Sequence, residues 1–434
     1  MSEVAAESER VARAQRIHAA MPPGGLFAGK EWRVAPEPFV LPQGMDEELE
    51  KLGFRLRKFT EACNLLYRLS VSGKRPAWIA ELLDRGKPRE LVGLARSKTI
   101  AEHVPRILRP DVILTDEGFT IAELDNVPGG IGLTAWLNES YAKEGFAALG
   151  GRGMDEGFRA VVDGGDIVIS QEAADYRPEM EWMAARIGAR VVAAENPPTD
   201  LRPDVYRFFE LFDLPNIAGS MELLREVADG KRRMTPPPKP CIEEKLWFAL
   251  FWLRPLADFW RRELGEKHFL ALQKVIPRTW LMDPQPLPPT GVYPGLEIQS
   301  WEELKKFSQR ERELVLKISG FSELAWGSRS VKVGQDLSHE DWARAIDVAL
   351  GDWDRSPWIL QRFHHARVME MDYVGTDGHR PPLQTMKGRV RLCPYYFCGA
   401  QETKLGGVLA TVCPADKKLL HGMRDAILAP VVAA

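Results

Sequence analysis

The chain lacks most of what marks a specialised class. Its five cysteines, at 63, 241, 393, 398 and 413, form no CxxC pair. That excludes a zinc ribbon and a disulfide framework, and leaves buried reduced thiols as the expectation. No apolar run approaches the roughly 20 residues that cross a bilayer, so no membrane span is expected. The start, MSEVAAESERVARAQ, is polar and helical and does not read as a signal peptide, which points to a cytoplasmic location. Charge of one sign is not in excess. The formal net charge is −3 over 434 residues, which gives no general nucleic-acid surface, although a local basic pocket stays open. Internal repeats and low-complexity tracts are absent.

What remains is an ordinary globular composition with an uncommon number of tryptophans. Hydrophobic residues make up 45% and charged residues 27%, enough for one large domain or two to three ordinary ones. The 13 Trp are expected to fill a core.

The order of elements suggests a mixed α/β (α+β) chain. Residues 1–20 read as a charged helix ended by MPPGG. Residues 45–70 have helical periodicity with an acidic first turn, and more helix is expected through 76–105. DVILTDEGFTIAELDNVPGG reads as two strands joined by a turn at Asp116-Glu117-Gly118. DIVIS, YRPEMEWMAARIG and ARVVAA form a strand–helix–strand unit, the mark of a small parallel layer, and DVYRFFELFD continues it. MTPPPKPC (234–241) reads as a proline-rich linker, and a Trp-rich helical stretch covers 243–273. A second proline-rich connector spans 282–295. After it come a strand, ELVLKIS, a Gly/Ser-rich loop, a helix with Ser338 as N-cap, and a strand, WILQRF. GRVRLCPYYFCG and GGVLATVC look like paired strands.

Three places could carry chemistry. In FTIAELDNVPGGIG, Glu123, Asp125 and Asn126 crowd one strand end before a glycine turn. With Asp111 on the adjoining strand, these oxygens could face one point and hold Mg²⁺, which takes few protein carboxylates plus waters. A solvated acidic turn reads the same residues. In ELVLKISGFSELAWGSRSVKVG, Lys317 ends an apolar strand under a loop with Ser319, Gly320, Ser322, Trp326, Gly327, Ser328 and Ser330. A lysine beneath such a loop suits phosphate. No Walker A motif is present, and a surface hairpin with a snorkelling lysine stays open. In SPWILQRF, Gln361 and Phe363 could line an adenine edge, or the strand could be a plain edge strand. His364 and His365 read as polar rim residues, and GKRRM (230–234) as a solvated basic run that could help hold an acidic substrate.

Taken in order, these pieces resemble the circularly permuted ATP-grasp enzymes, the group that includes glutathionylspermidine synthetase. The family's R-x-D and E-x-N segments are similar to RPD (109–111) and AELDNVPGG (121–130), although here the second reads E-x-D-N. DVYRFF, the helix start at EEKLWFAL with Lys245, VIPRTWLM, the Lys317 strand with its flap, ILQRF, and the final strand pair with its GG turn follow in the family's order. Ile318 stands where the family has proline, and the flap lacks the family's GREG.

The resemblance implies a circularly permuted ATP-grasp fold with a small parallel α/β pre-ATP-grasp layer. It implies three parts: 1–160, an N-terminal helical region plus the permuted catalytic half; 161–235, the small α/β domain; and 236–434, the nucleotide-binding half with its flap. It implies an ATP-dependent ligase joining a small-molecule carboxylate to an amine through an acyl phosphate, with ATP and Mg²⁺ as cofactors. Asp111, Glu123 and Asp125 (or Asn126) would hold metal. Lys245 and Lys317 would lie on the phosphates, and the Ser319–Gly327 backbone, with Gly320 and Ser322, would form the flap. Gln361 to Phe363 would contact adenine. Arg109 would stabilise the acyl phosphate, with Arg391 and Arg389 as further candidates. Two alternatives stay open: a degenerate nucleotide-binding or partner-binding protein, and a phosphotransferase on the same fold.

Overall fold

The computed structural model describes residues 3–162, 164–325, 327, 329–375, 382–417, 420 and 424–434. Trp326 and Ser328 of the expected flap lie outside the described residues. The chain divides into two compact units. The first is Met1–Lys58, Ser97–Pro238 and Ala366–Ala434, and the second is Phe59–Arg96 and Lys239–His365. Both are discontinuous in sequence, whereas the expected three-part division follows sequence order and keeps 236–434 together. Strand pairing makes the difference: the strands at 368–432 join the sheet that holds Asp111.

The first unit contains an eight-stranded sheet and a four-stranded one. The main path of the larger sheet runs Arg33–Val34, Ile427–Val432, Thr403–Pro414, Leu383–Cys398, Ile107–Thr115, Gly118–Asp125. Its long strands pair antiparallel. The turn at 116–117 ends on Gly118, whose φ of 132° suits glycine. The smaller sheet is parallel throughout, in the order Arg190–Ala193, Asp166–Ile169, Asp204–Phe208, Arg233–Thr235. Its crossover helix, Arg177–Ile187, begins with a proline in its first turn and ends on Gly188 at φ 76°. A shared core joins this layer to the helices Ile131–Lys143 and Gly153–Val162, with Trp136, Phe158, Met180, Tyr206 and Tyr395 among its buried members.

The second unit is built on an antiparallel sheet in the order Lys332–Val333, Leu314–Ile318, Trp358–Arg362, Thr279–Leu281. The helix His339–Gly351 packs on it through Trp342 and Ile346, and its Ser338 cap accepts from the Asp341 amide as expected.

Several expectations change in detail. The helix expected through 76–105 is two short helices, Trp78–Asp84 and Arg89–Ala95, because Pro88 and the turn before it interrupt the ladder. The Trp-rich stretch 243–273 breaks into Leu246–Trp252, Ala257–Leu264 and Glu266–Val275, at Pro255 and at Gly265. The strand Trp358–Arg362 is interior to its sheet, not an edge. The boundary between the two units falls at 238–239, inside the expected linker 234–241, which is buried. All five cysteines are buried, as expected.

Candidate functional site

The first unit gathers opposite charges on one sheet face. Arg109 stands opposite Asp125 in register and Asp111 opposite Glu123. Paired residues share a face, and so do residues two apart along a strand. These four side chains therefore leave the sheet on the same side. Arg109 Nη2 lies 2.8 Å from Asp125 Oδ2 and 3.2 Å from Asp111 Oδ1. From the next strand, Arg391 Nη1 donates to Asp111 Oδ2 at 3.0 Å. Cys393, two residues on, donates its S–H to Asp111 Oδ1 at 3.6 Å, and burial holds that thiol protonated by raising it to about 11. One carboxylate thus bridges two guanidinium groups. Burial is the largest influence on both arginines and works against their charge, yet Asp111 together with other neighbours, Asp125 beside Arg109 among them, outweighs it and holds Arg391 and Arg109 above the ordinary value. Burial pushes the Asp125 carboxyl up, against the pull of Arg109.

The glycine turn after this strand is a close-packed joint. Arg109 Nη1 reaches the Gly129 carbonyl at 3.4 Å, and the Tyr395 hydroxyl donates to the same oxygen at 2.7 Å. A Cβ on Gly129 would fall 2.1 Å from the Tyr176 ring, and one on Gly130 would fall 2.6 Å from the Tyr395 oxygen. Gly130 also has φ 84°. These positions require glycine for space and for conformation.

Oxygen donors on this face have the hardness that Mg²⁺ selects. Among the described residues, however, no three His, Cys, Asp or Glu converge to hold a metal ion. A cation here would draw on Asp111 and Glu123, which stand opposite each other, with Asp125 or the Asn126 amide completing the protein donors. Phosphate or water oxygens would supply the rest, which is how Mg²⁺ is ordinarily held.

The second unit places Lys317 in a buried polar row. Lys317 Nζ donates to Gln361 Oε1 at 2.9 Å, and Gln361 Nε2 donates to Thr279 Oγ1 at 3.2 Å. The Gln361 side chain therefore orients the lysine from inside the sheet. With the strand also paired on both sides, the half-buried Phe363 is what is left for an adenine edge. Lys245 sits at the N-terminus of Leu246–Trp252, with its amide donating to Ser319 O at 3.0 Å and its Nζ to Ala325 O at 3.4 Å. Ser319 faces inward: its hydroxyl donates to Glu244 and accepts from the Leu246 amide at 2.9 Å. Its side chain anchors the loop instead of reaching out of it. Gly320 passes so close that a Cβ would sit 2.7 Å from the Glu243 carbonyl. Ser322 Oγ accepts from the Leu324 amide at 3.3 Å, and Gly327 takes φ 63°.

Other candidates stand apart. Arg389 donates to Lys417 O at 3.2 Å, away from the Asp111 pair. His365 is exposed, 3.6 Å from Glu313. Arg232 and Arg233 of the basic run pair with Glu226 and Asp204.

Some positions escaped the sequence reading. In the second unit, Lys87 Nζ meets Glu244 Oε1 at 2.5 Å, with 1% and 2% of their side chains exposed. No local pattern links residues so far apart in sequence. In the first unit, Glu179 is fully buried and accepts from the Gly130 amide at 2.6 Å and the Leu133 amide at 2.9 Å. A signal existed there, because Glu179 lies in the stripe otherwise made by Met180, Met183, Ala184 and Ile187.

No protein-family description and no curated protein matches the sequence. The fold is similar to that of a glutathione synthetase-like effector from Globodera pallida, solved in its apo form. That alignment has a TM-score of 0.58 and 9% identity, and covers 100% of this chain and 98% of the other. A Methylobacillus flagellatus protein named for the gamma-glutamylcysteine synthetases aligns over 81% of this chain and 82% of its own, at 10% identity and a TM-score of 0.38, too low to argue from. The likeness to the effector is one of fold.

Proposed function

We propose that the chain is an ATP-dependent ligase of the circularly permuted ATP-grasp kind, joining a small-molecule carboxylate to an amine. What carries this is the Arg109–Asp111–Arg391 bridge on the face that also bears Glu123 and Asp125. Two arginines beside hard oxygen donors suit a reaction in which a phosphoryl group develops negative charge. The shared fold with a protein named glutathione synthetase-like supports the same class.

In the proposed reaction a carboxylate oxygen attacks the terminal phosphorus of ATP, and the bond to ADP breaks. The amine nitrogen then attacks the acyl carbon, phosphate leaves, and the nitrogen loses a proton. Arg109 and Arg391 would neutralise charge on the transferred group, and Asp111 orients both. Lys317, fixed by Gln361, and Lys245 would bind phosphate, and the backbone from Ser319 to Gly327 would close over it. Gln361 to Phe363 would lie along adenine. Mg²⁺, held by Asp111 and Glu123 with Asp125 or Asn126, would shield the phosphate charges.

The test is calorimetry of ATP binding with and without Mg²⁺, on wild type and Glu123→Ala, followed by ADP release in the presence of candidate amines. Mg²⁺-dependent binding weakened by the substitution, with amine-dependent ADP release, is expected. ADP release with no need for an amine would mark a phosphotransferase. Absence of ATP binding would mark a partner-binding protein.

A further inference from the structure

Glu179 belongs to the parallel layer, yet both of its oxygens are spent on the glycine turn beside Arg109. Its own backbone closes on the same segment, since a Cβ on Gly132 would lie 2.2 Å from the Glu179 carbonyl. The turn is thus gripped from two sides. Glu179 and the Tyr176 ring hold it from the layer. Arg109 and Tyr395 hold the Gly129 carbonyl from the sheet. A short path of bonds connects Glu179 to the Gly130 amide, across one peptide to the Gly129 carbonyl, and on to Arg109.

We propose that Glu179 is a positioning residue: by fixing the Gly130 and Leu133 amides it sets where the Gly129 carbonyl meets Arg109, and so aims the guanidinium that the ligase reaction uses. This rests on the ligase reading for its catalytic consequence, but not for its structural one. A neutral glutamine would keep the volume and lose one acceptor, so the turn would be held at one amide instead of two.

The groups facing Glu179 are few. Arg109 comes from the sheet, Tyr395 from the adjoining strand, Tyr176 from the segment before its own helix, and Tyr206 from the parallel layer. Burial raises the Glu179 carboxyl to about 7, while the backbone amides and Arg109 pull it down. The ionised form accepts the stronger hydrogen bonds. Each bond to the turn is therefore strongest above about 7, while burial of the charge leaves the closed turn less stable against opening there.

The experiment has two readouts on wild type and Glu179→Gln. The first is the pH profile of amine-dependent ADP release. Wild-type kcat is expected to rise through an inflection near 7. The variant should lose that inflection and fall about tenfold in kcat with KM for ATP unchanged. A variant with the wild-type profile and kcat would overturn the proposal. The second is hydrogen exchange of the amides in 127–135, corrected for intrinsic pH dependence. Wild-type protection should step down as pH rises through about 7, because the closed turn holds the Glu179 proton more tightly than the opened one, and the variant should show no step. If neither protein turns over, the ligase reading fails while exchange still decides the positioning role. Absence of a step in wild type would overturn that role, whether or not the variant folds.

Discussion

At the scale of the residue, a few buried charges dominate. Asp111 separates two guanidinium groups whose side chains are 13% and 15% exposed. Asp111→Ala removes the carboxylate that both arginines share, and leaves two like charges adjacent and shielded from water. Breaking a buried pair from one side typically costs about 3–5 kcal/mol. Urea unfolding of the variant should show a loss of that order, whereas the exposed-pair variant Glu402→Ala, which faces Lys404, should change little. Glu179 behaves in the opposite sense with pH. Its folded value is raised from 4.5 to about 7, so the native state holds its proton more tightly than the unfolded chain. The stabilisation is full below about 4.5 and is lost as pH rises through about 7. Across that window the stability of wild type relative to Glu179→Gln should fall by roughly 3 kcal/mol, as read from unfolding midpoints at stepped pH.

At the scale of the element, the two antiparallel strands carrying Asp111 and Glu123 were readable because alternation and the Asp-Glu-Gly turn both mark them. The parallel layer was readable for a similar reason, with short apolar strands flanking a helix that ends on glycine. The helix Ile131–Lys143 escaped because it is buried nearly all round, including Thr134 and Asn138, and so shows no amphipathic stripe. The strands Val368–Val374 and Ile427–Val432 went unread although each pairs with its neighbour in sequence, Leu383–Cys398 and Thr403–Pro414; the latter also pairs in parallel with the distant Arg33–Val34. The site shows the same division. Residue types and order named Arg109, Asp111 and Lys317, but spacing could not show that Ser319 turns inward to Glu244 or that Gln361 is the partner of Lys317. The glycine turn supports an element-scale prediction. Gly130→Ala combines a left-handed backbone with a Cβ 2.6 Å from the Tyr395 oxygen. The backbone part alone costs about 1–2 kcal/mol. Combining it with Tyr395→Phe should recover the steric part but not the backbone part, so a double-mutant cycle on unfolding midpoints should show coupling of about 1 kcal/mol.

At the scale of the whole molecule, function must be argued from sites, because the shared fold alone leaves activity open. The two units carry chemically distinct sets: oxygen donors with arginines in one, lysines with a looped backbone in the other. Binding that favours the native state raises stability by RT ln(1 + [L]/Kd), about 2.7 kcal/mol when ligand is a hundred times its Kd. If ATP is held as proposed, its addition should therefore raise the unfolding midpoint of wild type, and Mg²⁺ should add a further increment. The two increments are separable by substitution. Lys317→Ala removes a buried cation and leaves Gln361 Oε1 without that donor, so it should abolish the ATP increment with or without Mg²⁺. Glu123→Ala leaves the lysine row untouched and should abolish only the Mg²⁺ increment. Thermal denaturation of the three proteins with ATP alone and with Mg²⁺–ATP reads both effects together. Equal Mg²⁺ increments in wild type and Glu123→Ala would remove Glu123 from the metal set, and an ATP increment surviving in Lys317→Ala would move the phosphate site elsewhere.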